Sequence, residues 1–99
     1  MRFAPVLAAA ALFAAPTLAL AEAATLYKTE CAKCHGDDGR SDTPAGKAMK
    51  APDLTRAAFK DMDDGALAKA ILENPKHTAL AGKISAEDAA ALAAFVKSL

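Results

Sequence analysis

The sequence predicts a small all-α domain behind an N-terminal export segment, and three observations predict it. Strand formers are scarce: beyond residue 21, Val occurs once, at Val96, and Ile twice. Apolar residues recur instead at the i, i+3, i+4 spacing of a helix face, preceded by Ser, Asp or Thr where a helix start needs an acceptor. No internal repeat or low-complexity linker divides 22–99, so this stretch reads as one domain. Its core is thin. The 99 residues hold five aromatics and no Trp, and Ala supplies much of the 54% apolar content. A domain of this size buries only roughly 60% of its surface. Something other than side chains should fill the middle.

Residues 1–21 have the layout of a signal peptide: a basic start at Arg2, an apolar run, the helix-breaking Pro16, and the small-x-small site Ala19-Leu20-Ala21. Cleavage after Ala21 leaves Glu22 as the new N-terminus; cleavage after Ala23 is the alternative. An uncleaved anchor from Phe3 to Leu20 is about long enough for a thin bilayer, but Pro5 and Pro16 interrupt it. The expected product is an exported protein without a stable membrane anchor. Removing Arg2 leaves eleven basic against twelve acidic side chains, a net charge of −1. That balance gives no electrostatic case for nucleic acid or for an anionic membrane.

Four or so short helices follow. Glu22 to Cys34 forms the first, with Leu26 and Tyr27 on or near its inner face, and its continuation ends at Gly36, a residue suited to a helix C-terminus. Gly36 to Gly46 reads as a polar surface loop. Ala51-Pro52-Asp53-Leu54 is an extended turn, and Thr55 caps a short helix through Phe59. Asp63 caps a helix over 65–73 that Asn74-Pro75 stops, with Leu67, Ala70 and Ile71 as its apolar stripe. Ser85 caps the last helix, where Ala89, Leu92, Phe95, Val96 and Leu99 line one face. Asp88 in place of Glu makes its reciprocal capping box imperfect.

The chemistry lies in Cys31-Ala32-Lys33-Cys34-His35. On one helical turn both thiols face one edge of a porphyrin. Each can add across a vinyl group to form a thioether, and the adjacent imidazole reaches the iron. C-x-x-C-H is the attachment signature of c-type haem. A structural zinc site needs further ligands, and only His77 remains. A thioredoxin-like pair needs a βαβ context that the strand-poor chain lacks. A plain disulfide leaves the neighbouring His without a role.

At this point the chain resembles the small monohaem class I cytochromes c of bacterial electron transfer. The likeness covers nearly all of 22–99: the leading Ala24-Thr25-Leu26-Tyr27-Lys28, the block CAKCHGDDGRSDTPAGKAMKAPDL over 31–54, and the capped helix over 85–99. The resemblance implies the class I fold, with first and last helices crossing near one covalently bound haem c, so that Leu26 or Tyr27 meets Phe95. It implies His35 as proximal iron ligand and the Pro52 carbonyl as acceptor of its Nδ1 proton, although the family usually has Gly where Ala51 stands. Family members generally offer a distal Met before the last helix. Here the ungapped alignment of Gly82 through Ser85 puts His77 at that place, so the expected iron is bis-histidine ligated, with Met62 and Met49 as the competing donors. A second imidazole lowers the reduction potential relative to Met.

Leu54, Phe59, Met62, Leu67, Ile71, Leu80 and Ile84 are expected to pack on the haem. Lys33, Lys76 and Lys83 are expected to ring its exposed edge, away from Asp61, Asp63 and Asp64, and to dock acidic redox proteins at a rate that falls with salt. The functional expectation is a monomeric, periplasmic single-electron carrier and not an enzyme. Its rivals are a sensor or peroxidase-like module with a labile sixth position and an electron-entry subunit of a larger oxidoreductase.

Overall fold

The computed structural model describes residues 14–99, so the greater part of the expected export segment, residues 1–13, lies outside the described residues. Six α-helices and one 3-10 helix follow in chain order, with no strand among the described residues. They are α1 (Ala14–Glu30), α2 (Ala32–His35), α3 (Pro44–Met49), α4 (Ala57–Lys60), α5 (Asp64–Glu73), the 3-10 helix Pro75–Leu80, and α6 (Ala86–Lys97).

The first helix begins earlier than expected and crosses the anticipated boundary at residue 21 without a break. Ala23 is 2% exposed and belongs to the core. A chain beginning at Glu22 keeps that core residue; one beginning at Ala24 loses it. The helix does not run smoothly into the motif either. Cys31, with φ −114° and ψ −34°, separates α1 from α2. Gly36 then ends α2 with φ 78°, its N–H donating to the Ala32 carbonyl at 2.8 Å.

Three expectations about local structure are corrected. The stretch 36–46 is not all loop, because Pro44 starts α3. The Thr43 side chain caps it by accepting from the Gly46 N–H at 2.8 Å. Pro suits this first position because its fixed φ is already helical. Thr55 caps nothing: α4 starts at Ala57, and the Thr55 hydroxyl and N–H both donate to Asp53 Oδ1, at 2.6 and 2.8 Å. Those two bonds to its charged form hold the Asp53 carboxyl below its ordinary range. The box on α6 is complete, since Asp88 N–H donates to Ser85 Oγ at 3.0 Å and Ser85 N–H to Asp88 Oδ2 at 3.2 Å. Asp63 caps α5 as expected, accepting from Gly65 and Ala66.

Helices α1 and α5 both pack on α6, and α2 packs on α3. Ala89, Leu92, Ala93 and Val96 are the buried residues of α6; Phe95 and Leu99 are half-buried at its margin. Where α1 crosses α6, the Tyr27 and Phe95 rings stand 5.1 Å apart at 46°. Tyr27, rather than Leu26, makes the expected contact with Phe95. Its ring is 2% exposed and its hydroxyl donates to the Gly36 carbonyl at 2.7 Å, pinning α1 to the turn after the motif. Burial, with Cys31 and then Asp38 and Asp37 adding, raises the phenol pKa, so it stays a donor at all ordinary pH. Tyr27→Phe should lower unfolding free energy by about 1–2 kcal/mol, because the buried carbonyl loses its partner. Urea unfolding with an unchanged slope is the check; an unchanged midpoint removes the role.

Candidate haem site

The motif lies on the short helix α2 and the residue before it, which places Cys31, Cys34 and His35 on the wall of one cavity. The opposite wall comes from the C-terminal end of α5 and the 3-10 helix, which present Ala70, Ile71, His77 and Leu80. Leu54, Phe59, Leu67, Leu92 and Val96 close the apolar floor. The two cysteines are free of a disulfide. Among the described residues, no group of three or more His, Cys, Asp or Glu side chains gathers around a metal position.

Both imidazoles are held through Nδ1. His77 Nδ1 lies 2.9 Å from the Ile71 carbonyl, which can only accept, so Nδ1 carries the proton and Nε2 keeps its lone pair. His35 Nδ1 lies 3.2 Å from Ser41 Oγ, and Ser41 Oγ donates to the Pro52 carbonyl at 2.5 Å. Ser41, folded inward, thus bridges His35 and the expected acceptor Pro52, whose carbonyl also stays close enough to act on the ring. Burial lowers the His35 pKa; the Pro52 carbonyl acts in the opposite direction, and the nearby His77 adds to the lowering. As pH falls below the ordinary histidine value, the unfolded chain takes up a proton that the folded ring resists. The fold thus favours the neutral imidazole that a metal needs.

The ring centroids of His35 and His77 stand 6.3 Å apart, at 74° to one another. Two imidazoles bonded to one metal ion at about 2 Å each, with roughly 1.1 Å from nitrogen to ring centre, have centroids about 6 Å apart. The observed separation is close to that value. His77 owes its place to a local break: Asn74 caps the 3-10 helix through Lys76 N–H, and His77 itself departs from helical geometry, with φ −97° and ψ 20°.

Of the residues expected around the haem, Leu54, Phe59, Leu67, Ile71 and Leu80 line this cavity, as does Pro52. Met62 and Ile84 do not. Met62 packs on the core from outside the cavity. Ile84 is buried in the core and lines a neighbouring hollow with Leu72 and Thr78. An apolar residue just before a helix cap reads as buried without showing which side of a thin core it serves. Of the two competing donors, Met49 lines the cavity and Met62 does not. Tyr27, Ala79, Leu92 and Val96 are lining residues that sequence reasoning left in the general core or loop. Of the three rim lysines, Lys33 is exposed, Lys76 Nζ donates to the Met49 carbonyl at 3.0 Å, and Lys83 Nζ stands 3.9 Å from Glu30.

Burial presses on Cys31 as well, raising its thiol to about 11, with the Glu30 charge and then Cys34 adding to the effect. An apolar wall of this kind suits a thioether better than a thiolate.

No solved structure matches the chain at a significant level. The family model for cytochrome c matches residues 20–99. That match covers the motif, both histidines and every helix from the end of α1 onward. It explains why an all-helical chain with so little core surrounds an apolar cavity bearing two cysteines. This chain belongs to the cytochrome c family: it is a haem-binding electron carrier, not an enzyme, and its cofactor is covalently bound haem c.

Proposed function

We propose that the protein is an exported single-electron carrier of class I type whose haem iron is held between His35 and His77. The observation that carries this reading is the 6.3 Å separation of two imidazoles whose Nδ1 atoms are both engaged elsewhere. Bound haem supplies the capacity to take up and give back one electron. Cys31 and Cys34 fasten it, and His35 binds from the side of the motif. His77 binds from the side of α5, oriented by the Ile71 carbonyl. The apolar floor excludes water. The arrangement favours keeping both ligands through oxidation and reduction.

The N-terminal segment supports export, and a bacterial periplasm is the compartment that fits it. Cleavage after Ala21 is the better reading because Ala23 is a core residue. No helix among the described residues is long and apolar enough to cross a membrane. Redox proteins are the proposed partners of a monomer. Lys33 and the cavity rim are the proposed docking face, with Lys76 and Lys83 partly committed to internal contacts.

The protein purified from a host that matures c-type cytochromes should be coloured, low-spin in both oxidation states, and inert to carbon monoxide. It should lack the red sulfur-to-iron band in its ferric spectrum. Met49 lines the same cavity and gives the competing reading. The red band in the parent protein, lost in Met49→Leu, would establish Met49 as ligand and sink the bis-histidine assignment.

A further inference from the structure

Ser41 has an unusual position for a serine. Its backbone is left-handed, with φ 59°, a conformation that a residue with a Cβ adopts against steric resistance. Its side chain is nevertheless buried, at 7% exposure, the single polar residue among the buried core positions described. Three bonds hold it there. Its N–H donates to the His35 carbonyl at 2.8 Å, and Oγ lies 3.2 Å from His35 Nδ1 and 2.5 Å from the Pro52 carbonyl.

The directions of these bonds follow from the groups themselves. A carbonyl offers no proton, so the hydroxyl donates to Pro52. Its remaining lone pairs then accept from Nδ1–H, which leaves Nε2 unprotonated. The sequence of bonds is one-way, from Nδ1–H to Oγ and from Oγ–H to the carbonyl oxygen. In such a chain each bond polarises the next, so a hydroxyl that is donating becomes a better acceptor. Strained, buried polar residues of this kind persist where the surroundings over-determine them, commonly beside a functional group.

We propose that Ser41 is the positioning residue of the proximal ligand: its hydroxyl relays the hydrogen bond from His35 to Pro52, fixes the ring, and strengthens its hold on ferric iron. This rests on His35 being the iron ligand. Loss of the relay weakens the donor strength of His35 Nε2 and raises the reduction potential.

Ser41→Ala and Ser41→Gly, made in the haem-loaded protein, test it. Glycine also relieves the backbone, so this variant is expected to fold even if the alanine does not. Both should keep the parent's low-spin spectra. In both, the ferrous-to-ferric ratio at a fixed poise should rise about threefold, or about 28 mV at 59 mV per decade. In the reduced protein, the Nδ1 proton resonance of His35 should exchange with solvent at least about tenfold faster. A purely structural serine predicts something else: Ser41→Gly with parental potential and exchange. An unchanged or lowered potential in low-spin Ser41→Gly overturns the relay. A failure of the ligand reading itself appears earlier and separately, in the spin state and ligand bands of the unmutated protein.

Discussion

His77→Ala is expected to turn a low-spin protein inert to carbon monoxide into one with high-spin ferric iron that binds the gas when reduced. Its midpoint potential should rise on the order of 100 mV, a modest part of the roughly 0.8 V that axial ligands span. The reason is geometric. Among the cavity-lining residues, His77 has its ring 6.3 Å from that of His35, and the Ile71 carbonyl holds its Nδ1. Its neighbours Ala79 and Leu80 carry no donor side chain. Added imidazole should restore the low-spin spectrum, since the lost group is replaced in the space its removal opens. Spectral titration, carbon monoxide binding and potentiometry on the same preparation read out the three effects. A His77→Ala protein with parental spectra would move the distal role to Met49 or another group.

The largest stability effect is expected at a residue with no chemistry. A methyl group on Gly46 would lie 2.2 Å from the Cys34 carbonyl oxygen, 2.7 Å from that of Ser41 and 2.9 Å from Thr43 Oγ1. The first two contacts are with backbone, which cannot swing aside as a side-chain end can. Gly46→Ala should therefore force α3 away from α2 and cost about 3 kcal/mol or more. The sign is diagnostic. Gly46 sits inside a helix, where alanine alone would stabilise by about 1 kcal/mol. Denaturant unfolding and the yield of coloured protein measure the outcome. A variant as stable as the parent would show that α2 and α3 are not in close contact.

Much of this site was legible because its chemistry is local. Cys31, Cys34 and His35 fall on a single turn, and the caps at Asp63 and Ser85 announce themselves by residue type alone. His77 was singled out by its offset from Gly82 and Ser85, and its ring stands 6.3 Å from that of His35. The errors share a physical origin. Helix α3 was read as loop because Pro44 and Gly46 look like breakers, although Thr43-Pro44 is also a cap followed by a favourable first position. Met62 and Ile84, apolar residues just before capped helices, were expected on the haem, and the structure packs both on the core outside the cavity lining. Ser41 gave no signal at all: its inward turn depends on a left-handed backbone and on Pro52, eleven residues away. The thin core, by contrast, was a sound clue, since a chain poor in aromatics needs a prosthetic group at its centre.

The carbonyl that orients His77 belongs to Ile71, within the last turn of α5, where helical carbonyls have no partner further along the helix. The imidazole thus serves as part of that helix's C-terminal cap, and on the proposed ligation its other nitrogen would serve the iron. Two consequences are joined in one bond. On that ligation, fraying of the last turn of α5 would release the distal ligand, and loss of the ligand would uncap the turn. Hydrogen exchange at Asn74, whose N–H bonds the Ala70 carbonyl, should accordingly keep pace with distal ligand exchange at the iron.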